Sequence, residues 1–148
     1  MRALLQRVSE ASVRVDGEVL ASIGPGLAIL VGVSHDDDAA ITDALARRVT
    51  ELRIFRDEDG RTNRSLIEVR GQALVISQFT LFADTRRGRR PGFTQAAAPE
   101  HAQRLYERFA AALREHDVHV ATGRFGAEMA VALVNDGPFT IWLDTAER

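Results

Sequence analysis

Ser77-Gln78-Phe79-Thr80 sets three polar side chains inside an otherwise apolar stretch that runs from Val75-Ile76 into Leu81-Phe82. Strand alternation puts Ser77 and Phe79 on one face and Gln78 and Thr80 on the other, where those two can share a cleft. A hydroxyl without a general base beside it is a poor nucleophile, so these groups read as hydrogen-bonding side chains at a strand end. Arg86-Arg87-Gly88-Arg89-Arg90 gathers four guanidiniums, groups that follow phosphates and stack on exposed bases. The whole chain carries a net charge of −2, so any polyanion contact must be local to such a patch. Asn135-Asp136-Gly137-Pro138 has turn chemistry and reads as a hairpin connection, with a Gly-Pro bond of the kind that can be cis. His35-Asp36-Asp37-Asp38 invites a metal reading, but adjacent residues seldom converge on one ion, and carboxylates before a helix serve capping and the helix dipole. His101, His116 and His119 lack metal-ligand spacing and read as surface residues.

Composition closes off other chemistries. With no cysteine, the chain has no disulfide framework, thiolate nucleophile or cysteine zinc site, and an intracellular location is the expectation. All 19 basic residues are arginine, which removes a Schiff-base lysine and a phosphate-loop lysine. No G-x-G-x-x-G follows a strand, since Gly24-Pro25-Gly26 precedes one and lacks the third glycine. The longest apolar run, Leu27 to Val33, is far short of the roughly 20 residues that cross a bilayer, and no secretory signal precedes Arg7.

A chain of 148 residues, 45% hydrophobic and 27% charged, fits one domain over 1–148. Val13 and Val15, the pair Asp16-Gly17, then Val19, Ala21 and Ile23 predict a hairpin. Leu27 to Val33 predicts a central strand covered on both faces. Ile41, Leu45, Val49 and Leu52 predict a helix over about 38–52. Arg53-Ile54-Phe55 and the turn Asp57-Glu58-Asp59-Gly60 precede a long β segment from Ala73 to Phe82. Residues 83–98 lack periodicity and form a long surface loop. Pro99 opens a second helix with the stripe Ala102, Leu105, Tyr106, Phe109 and Leu113, ending near His116. Val118–Val120, Met129–Val134 and Phe139–Leu143 are β again. The sum is α+β: a curved, barrel-like mixed sheet with two main helices packed on one side.

Together, Met1 to Val8, Ser77-Gln78-Phe79-Thr80-Leu81, Arg87-Gly88-Arg89-Arg90-Pro91 and Asn135-Asp136-Gly137-Pro138-Phe139-Thr140 resemble the bacterial D-aminoacyl-tRNA deacylase family over essentially the whole chain. Phe125-Gly126-Ala127 with Met129 also fits the pattern, while Phe82 and Phe139 depart from the family's frequent tyrosine and valine. The resemblance implies a cytoplasmic homodimer that hydrolyses the ester of D-aminoacyl-tRNA, and of mischarged glycyl-tRNA, without cofactor or metal. It makes Gly137-Pro138 a cis pair that enters the partner's active site as a chirality filter. Catalysis would then rest largely on the tRNA's 2′-hydroxyl, with the Phe79 and Thr80 amides on the carbonyl oxygen and Ser77 and Gln78 supporting the strand end. The Thr80 hydroxyl as nucleophile is the lesser option. Arg86, Arg87, Arg89 and Arg90 would hold acceptor-stem phosphates. Two rivals are an editing module that removes an L-amino acid, against which Gly137-Pro138 argues, and a protein that only binds nucleic acid.

Overall fold

One long strand, β1 (Arg2–Val15), is the spine of the molecule. A computed structural model, which describes residues 1–147, pairs one edge of β1 with β8 (Ala130–Asp144) along nearly its whole length. The other edge of β1 pairs with two strands in succession, β3 (Gly26–Gly32) on Arg2–Val8 and β2 (Glu18–Ile23) on Ala11–Val15. Asp16 and Gly17 turn β1 into β2 with positive φ at both positions, 52° and 79°, as a type I′ hairpin requires. Beyond β3, β6 (Gln72–Ser77) and β7 (His119–Thr122) continue the sheet in parallel. β3 therefore has a neighbour on each edge, and its apolar run is almost wholly buried.

Parallel neighbours cannot be joined by a hairpin; each pair needs a crossover, and here each crossover holds a helix. α1 (Ala39–Glu51) links β3 to β6, together with the small hairpin of β4 (Phe55–Arg56) and β5 (Thr62–Arg64); α2 (Pro99–Glu115) links β6 to β7. The element order in the sequence did not suggest these two crossover units. Their common handedness puts both helices on one face of the sheet. There Leu45, Val49, Leu105, Phe109 and Leu113 close over Leu5, Leu27, Ile29 and Val75. The opposite face curls around Val8, Val13, Ile23, Leu74 and Ile76, a second apolar cluster that makes the sheet barrel-like. Asp38 caps α1 by accepting from the Ile41 amide at 2.8 Å, and Pro99 opens α2, so both helices start where the sequence places them.

Two segments differ from their sequence reading. The β segment expected from Ala73 to Phe82 ends at Ser77, and Phe79–Phe82 forms a 3-10 turn. That turn folds over Gly32: a Cβ there would lie 3.0 Å from the Gln78 carbonyl oxygen and 3.2 Å from the Phe82 ring. Close backbone approach, which a strand pattern does not reveal, ends the strand. Asn135-Asp136-Gly137-Pro138 is also no hairpin. β8 runs through it without reversing; Thr140 faces Gln6 and Asn135 faces Val8, so residues 136–139 bulge opposite the single Arg7. The two short C-terminal strands expected on either side are one strand.

Candidate active site

The 3-10 turn is the exposed end of a buried strand. The Gln78 amide donates to the Val31 carbonyl at 2.7 Å, and Phe79 and Thr80 then stand out from the sheet, with Phe79 54% exposed. The first amides of such a turn, those of Phe79 and Thr80, have no acceptor inside it, and no side chain caps it. Uncapped amides of this kind suit an anionic or carbonyl oxygen. Gln78 and Thr80 are neighbours, though not through strand alternation: the Gln78 amide nitrogen lies 2.5 Å from the Thr80 hydroxyl oxygen, to which it donates. Among the described residues no carboxylate or imidazole bonds the Thr80 hydroxyl. Arg2 fastens the turn to the sheet. Its Nη1 donates to the Leu81 carbonyl at 2.9 Å, its Nε to Asp144 at 2.9 Å, and its guanidinium lies over the Phe82 ring at 4.4 Å. Burial pushes the Asp144 carboxyl up, but the Ala146 amide and Arg2 outweigh it and hold the group below the ordinary carboxylate range.

The arginine segment adjoins this turn. Asp84 and Gly92 exchange both backbone hydrogen bonds, at 2.7 and 2.9 Å, closing residues 85–91 into a loop. Just beyond its base, Phe93 meets Phe79 edge-on, with ring centroids 5.1 Å apart. Arg86 is committed within the loop: Nε and Nη2 donate to the two Asp84 carboxylate oxygens at 2.8 Å each, which holds that carboxyl well below its usual range. Among the described residues no carboxylate lies within 4.0 Å of Arg87, Arg89 or Arg90.

Gly137-Pro138 occupies the bulge, and the bond between them is cis. Gly137 sits at φ +143°, where a Cβ would lie 3.0 Å from both Arg7 Nη2 and the Phe139 amide nitrogen, so no other residue fits without displacement. Arg7 holds the bulge from beneath. Its buried guanidinium donates to the Asp136 carbonyl at 2.9 Å and the Ile54 carbonyl at 2.8 Å, and lies 4.5 Å from the centre of the Phe139 ring. Asn135 closes the bulge by accepting from the Phe139 amide at 2.7 Å and donating to the Thr140 hydroxyl at 2.8 Å. The Asp136 carboxylate, kept below its ordinary range by its hydrogen bond from Arg56 at 2.8 Å, ties the bulge to β4. Sequence reasoning gave Arg7 no structural role. The signal was there: Arg7 continues the buried odd positions Ala3 and Leu5, a register in which a charged residue must have partners.

Within one chain the two halves of the expected site stay apart. Ser77 pairs with Val31, Val31 with Ala3 and Ala3 with Leu143, a row at one end of the sheet, whereas Gly137 bulges opposite Arg7. Three strand spacings and four residues along β1 separate them by on the order of 15–20 Å. The Ser77–Thr80 turn and the arginine loop come together; Gly137-Pro138 does not join them. Two of the three acids before α1 have structural roles. Asp37 is buried and accepts from the Met1 ammonium at 2.6 Å, Asp38 is the cap, and Asp36 faces His35 at 3.3 Å. His101 is half-buried rather than a free surface residue, 2.8 Å from the Asp37 carbonyl oxygen, because α2 packs against this corner.

Comparison with known proteins bears directly on this arrangement. The family model for D-Tyr-tRNA(Tyr) deacylase matches residues 4–144. A protein of Thermomicrobium roseum named D-aminoacyl-tRNA deacylase is 62% identical over 147 residues, covering 99% of this chain and 96% of the relative. One of the same name from Dinoroseobacter shibae is 63% identical over 145 residues, covering 97% and 99%. Among solved structures, one titled c-Myc DNA Unwinding Element Binding Protein superposes with a TM-score of 0.91 at 37% identity, covering 97% of this chain and 98% of that one. Another, titled as a probable eukaryotic D-amino acid tRNA deacylase, gives 0.86 at 18% identity over 96% and 97%, a likeness of fold alone.

Proposed function

The chain belongs to the D-Tyr-tRNA(Tyr) deacylase family, and from that premise we propose that it is a D-aminoacyl-tRNA deacylase acting in the cytoplasm as a single-domain homodimer. Water adds to the carbonyl carbon of the ester; the bond to the terminal ribose oxygen breaks, releasing the free D-amino acid and tRNA. The family match over residues 4–144, together with a relative named D-aminoacyl-tRNA deacylase that is 62% identical over 147 residues, carries the reading. The site's chemistry agrees with it. The uncapped Phe79 and Thr80 amides suit the oxyanion that develops on the ester carbonyl, and preorganised donors of this kind are a large source of rate where no protein base is present. Ser77 and Gln78 hold the strand end, and the substrate's 2′-hydroxyl supplies the missing acid–base group. Arg87, Arg89 and Arg90 take acceptor-stem phosphates, while Arg86 shapes their loop.

Gly137-Pro138 acts on the partner subunit's substrate. It lies too far from its own chain's Ser77–Thr80, and the strand that carries it exposes Val131, Val134 and Trp142, apolar area that a second copy would cover. Seated over the partner's turn, the bulge crowds the direction of an L side chain and leaves D-aminoacyl and glycyl esters room. No helix among the described residues is long and apolar enough to cross a membrane.

Incubation with D-tyrosyl-, glycyl-, L-tyrosyl- and L-seryl-tRNA tests the reading, with the first two cleaved and the others left intact. Replacing the terminal adenosine by its 2′-deoxy form is expected to remove most activity, whereas Thr80→Ala keeps a substantial part of it. A folded Thr80→Ala protein that binds substrate but cleaves none overturns the tRNA-assisted mechanism. The 37% identical neighbour titled as a DNA-element-binding protein favours one rival, a pure nucleic-acid binder, for which all four esters survive.

A further inference from the structure

A second group of cations stands at the C-terminal end of α1. Arg47, Arg48 and Arg53 are exposed and, with Ala44, Glu51 and Leu52, line an open cavity of about 560 Å³. Among the described residues none of the three has a carboxylate within 4.0 Å, so their charge is not neutralised by a direct ion pair as that of Arg56 or Arg108 is. Glu51 shares the cavity without pairing with any of them. The helix dipole accounts for one cation in the last turn, Arg48, and not for three around one concavity. Three guanidiniums around one open concavity, in a chain with net charge −2, are a local concentration of positive charge suited to an anion.

Its position gives the anion an identity. The Ile54 amide donates to the Leu52 carbonyl at 3.1 Å, and the Ile54 carbonyl in turn accepts from Arg7 at 2.8 Å, the guanidinium that holds the Gly137 bulge. Arg56, next along the chain, pairs with Asp136 of that bulge at 2.8 Å. The cavity therefore flanks the segment proposed to enter the partner's site.

We infer that Arg47 and Arg48, with Arg53 at the rim, bind backbone phosphates of the substrate tRNA from the subunit that lends Gly137-Pro138. The inference rests on the deacylase reading and extends it: each tRNA touches the arginine loop of one subunit and the α1 end of the other. Arg53 also bonds the Asn63 carbonyl at 2.9 Å and so helps hold the β4–β5 hairpin, which makes Arg47 and Arg48 the better probes.

The test compares D-tyrosyl-tRNA with D-tyrosyl-adenosine, which has the reacting ester and no phosphate. Arg47→Gln with Arg48→Gln keeps good helix formers in place. This double variant is expected to raise KM for the tRNA about tenfold and to flatten the slope of log kcat/KM against log salt by about 2, leaving D-tyrosyl-adenosine cleavage unchanged. Glu51→Gln moves the other way, lowering KM for the tRNA, and decides the matter alone if the double variant does not fold. Unchanged KM and slope in the variants, beside an active wild type, overturn the inference, as does an equal loss on both substrates. Wild-type protein that cleaves neither substrate sinks the deacylase reading and this inference with it.

Discussion

Residues 135–139 and 84–92 are the two irregular segments that carry the proposed recognition groups, and they are secured in opposite ways. The bulge is held from every side: Arg7 beneath, Arg56 on the Asp136 carboxylate, Asn135 across its neck and the two long strands at its ends. The loop is tied at its base by the Asp84–Gly92 pair and by Arg86, and its tip presents three exposed guanidiniums. The difference follows from what each must recognise. Telling a D from an L side chain depends on a fixed obstacle at one carbon, where a small displacement removes the discrimination. Holding a polyanion depends on summed charge, which tolerates movement of each contact. Variants of the bulge should therefore change which substrate is cleaved, and variants of the loop how tightly any of them binds.

Arg7→Met has the largest expected effect. It removes the charged donor from two carbonyls, those of Asp136 and Ile54, at a cost of about 2–4 kcal/mol. Urea unfolding reads that loss, and the D-over-L rate ratio falls with it; unchanged stability would show that the bulge is held by its strands alone. Gly137→Ala comes next. The added methyl meets Arg7 and the Phe139 amide at a φ that suits glycine, a local cost of about 1–3 kcal/mol, or roughly ten- to a hundredfold in the D-over-L ratio. Changing Arg87, Arg89 and Arg90 together to Gln should raise KM for tRNA about tenfold and flatten its salt dependence, with the D-over-L ratio unmoved. A ratio that shifts in the loop variant and holds in the bulge variant would invert the assignment of roles.

Much of the frame was legible because local chemistry and tertiary structure agree there. Asp16-Gly17 has one economical use, Leu27 to Val33 suits a strand covered on both faces, and Asp38 and Pro99 mark helix starts by mechanisms internal to each helix. What misled was chemistry with more than one tertiary outcome. Asn-Asp-Gly-Pro breaks a strand ladder whether the chain reverses or bulges, and the partner strand decides; β1 keeps pairing on both sides of the break, so β8 continues. Leu81 and Phe82 look like strand residues, and their turn arises from contact with Gly32, far away in sequence. The residue types of the site were readable, but their assembly was not, because Gly137-Pro138 and Ser77–Thr80 lie three strands and four residues apart in one sheet.

The smallest expected effect tests whether Arg86 belongs to the loop's frame or to its binding surface. Its bidentate pairing with Asp84 depresses the pKa of that carboxyl, so the tie is fully made above the ordinary carboxylate range and is lost only as the pH falls through the lowered value. Between pH 7 and 5 Arg86 should stay committed, and the salt dependence of tRNA cleavage should keep one slope. Asp84→Asn leaves the backbone pair with Gly92 in place while releasing the guanidinium. A fourth cation then reaches the RNA; the slope steepens by about 1 and KM falls a few fold. Removing a negative charge from the loop would by itself favour binding, so the double variant Asp84→Asn with Arg86→Gln separates the two causes. If the freed arginine is responsible, the double variant returns close to the wild-type slope. If it keeps the steeper slope, Arg86 contributes nothing to binding even when free, and the loop acts through Arg87, Arg89 and Arg90 alone.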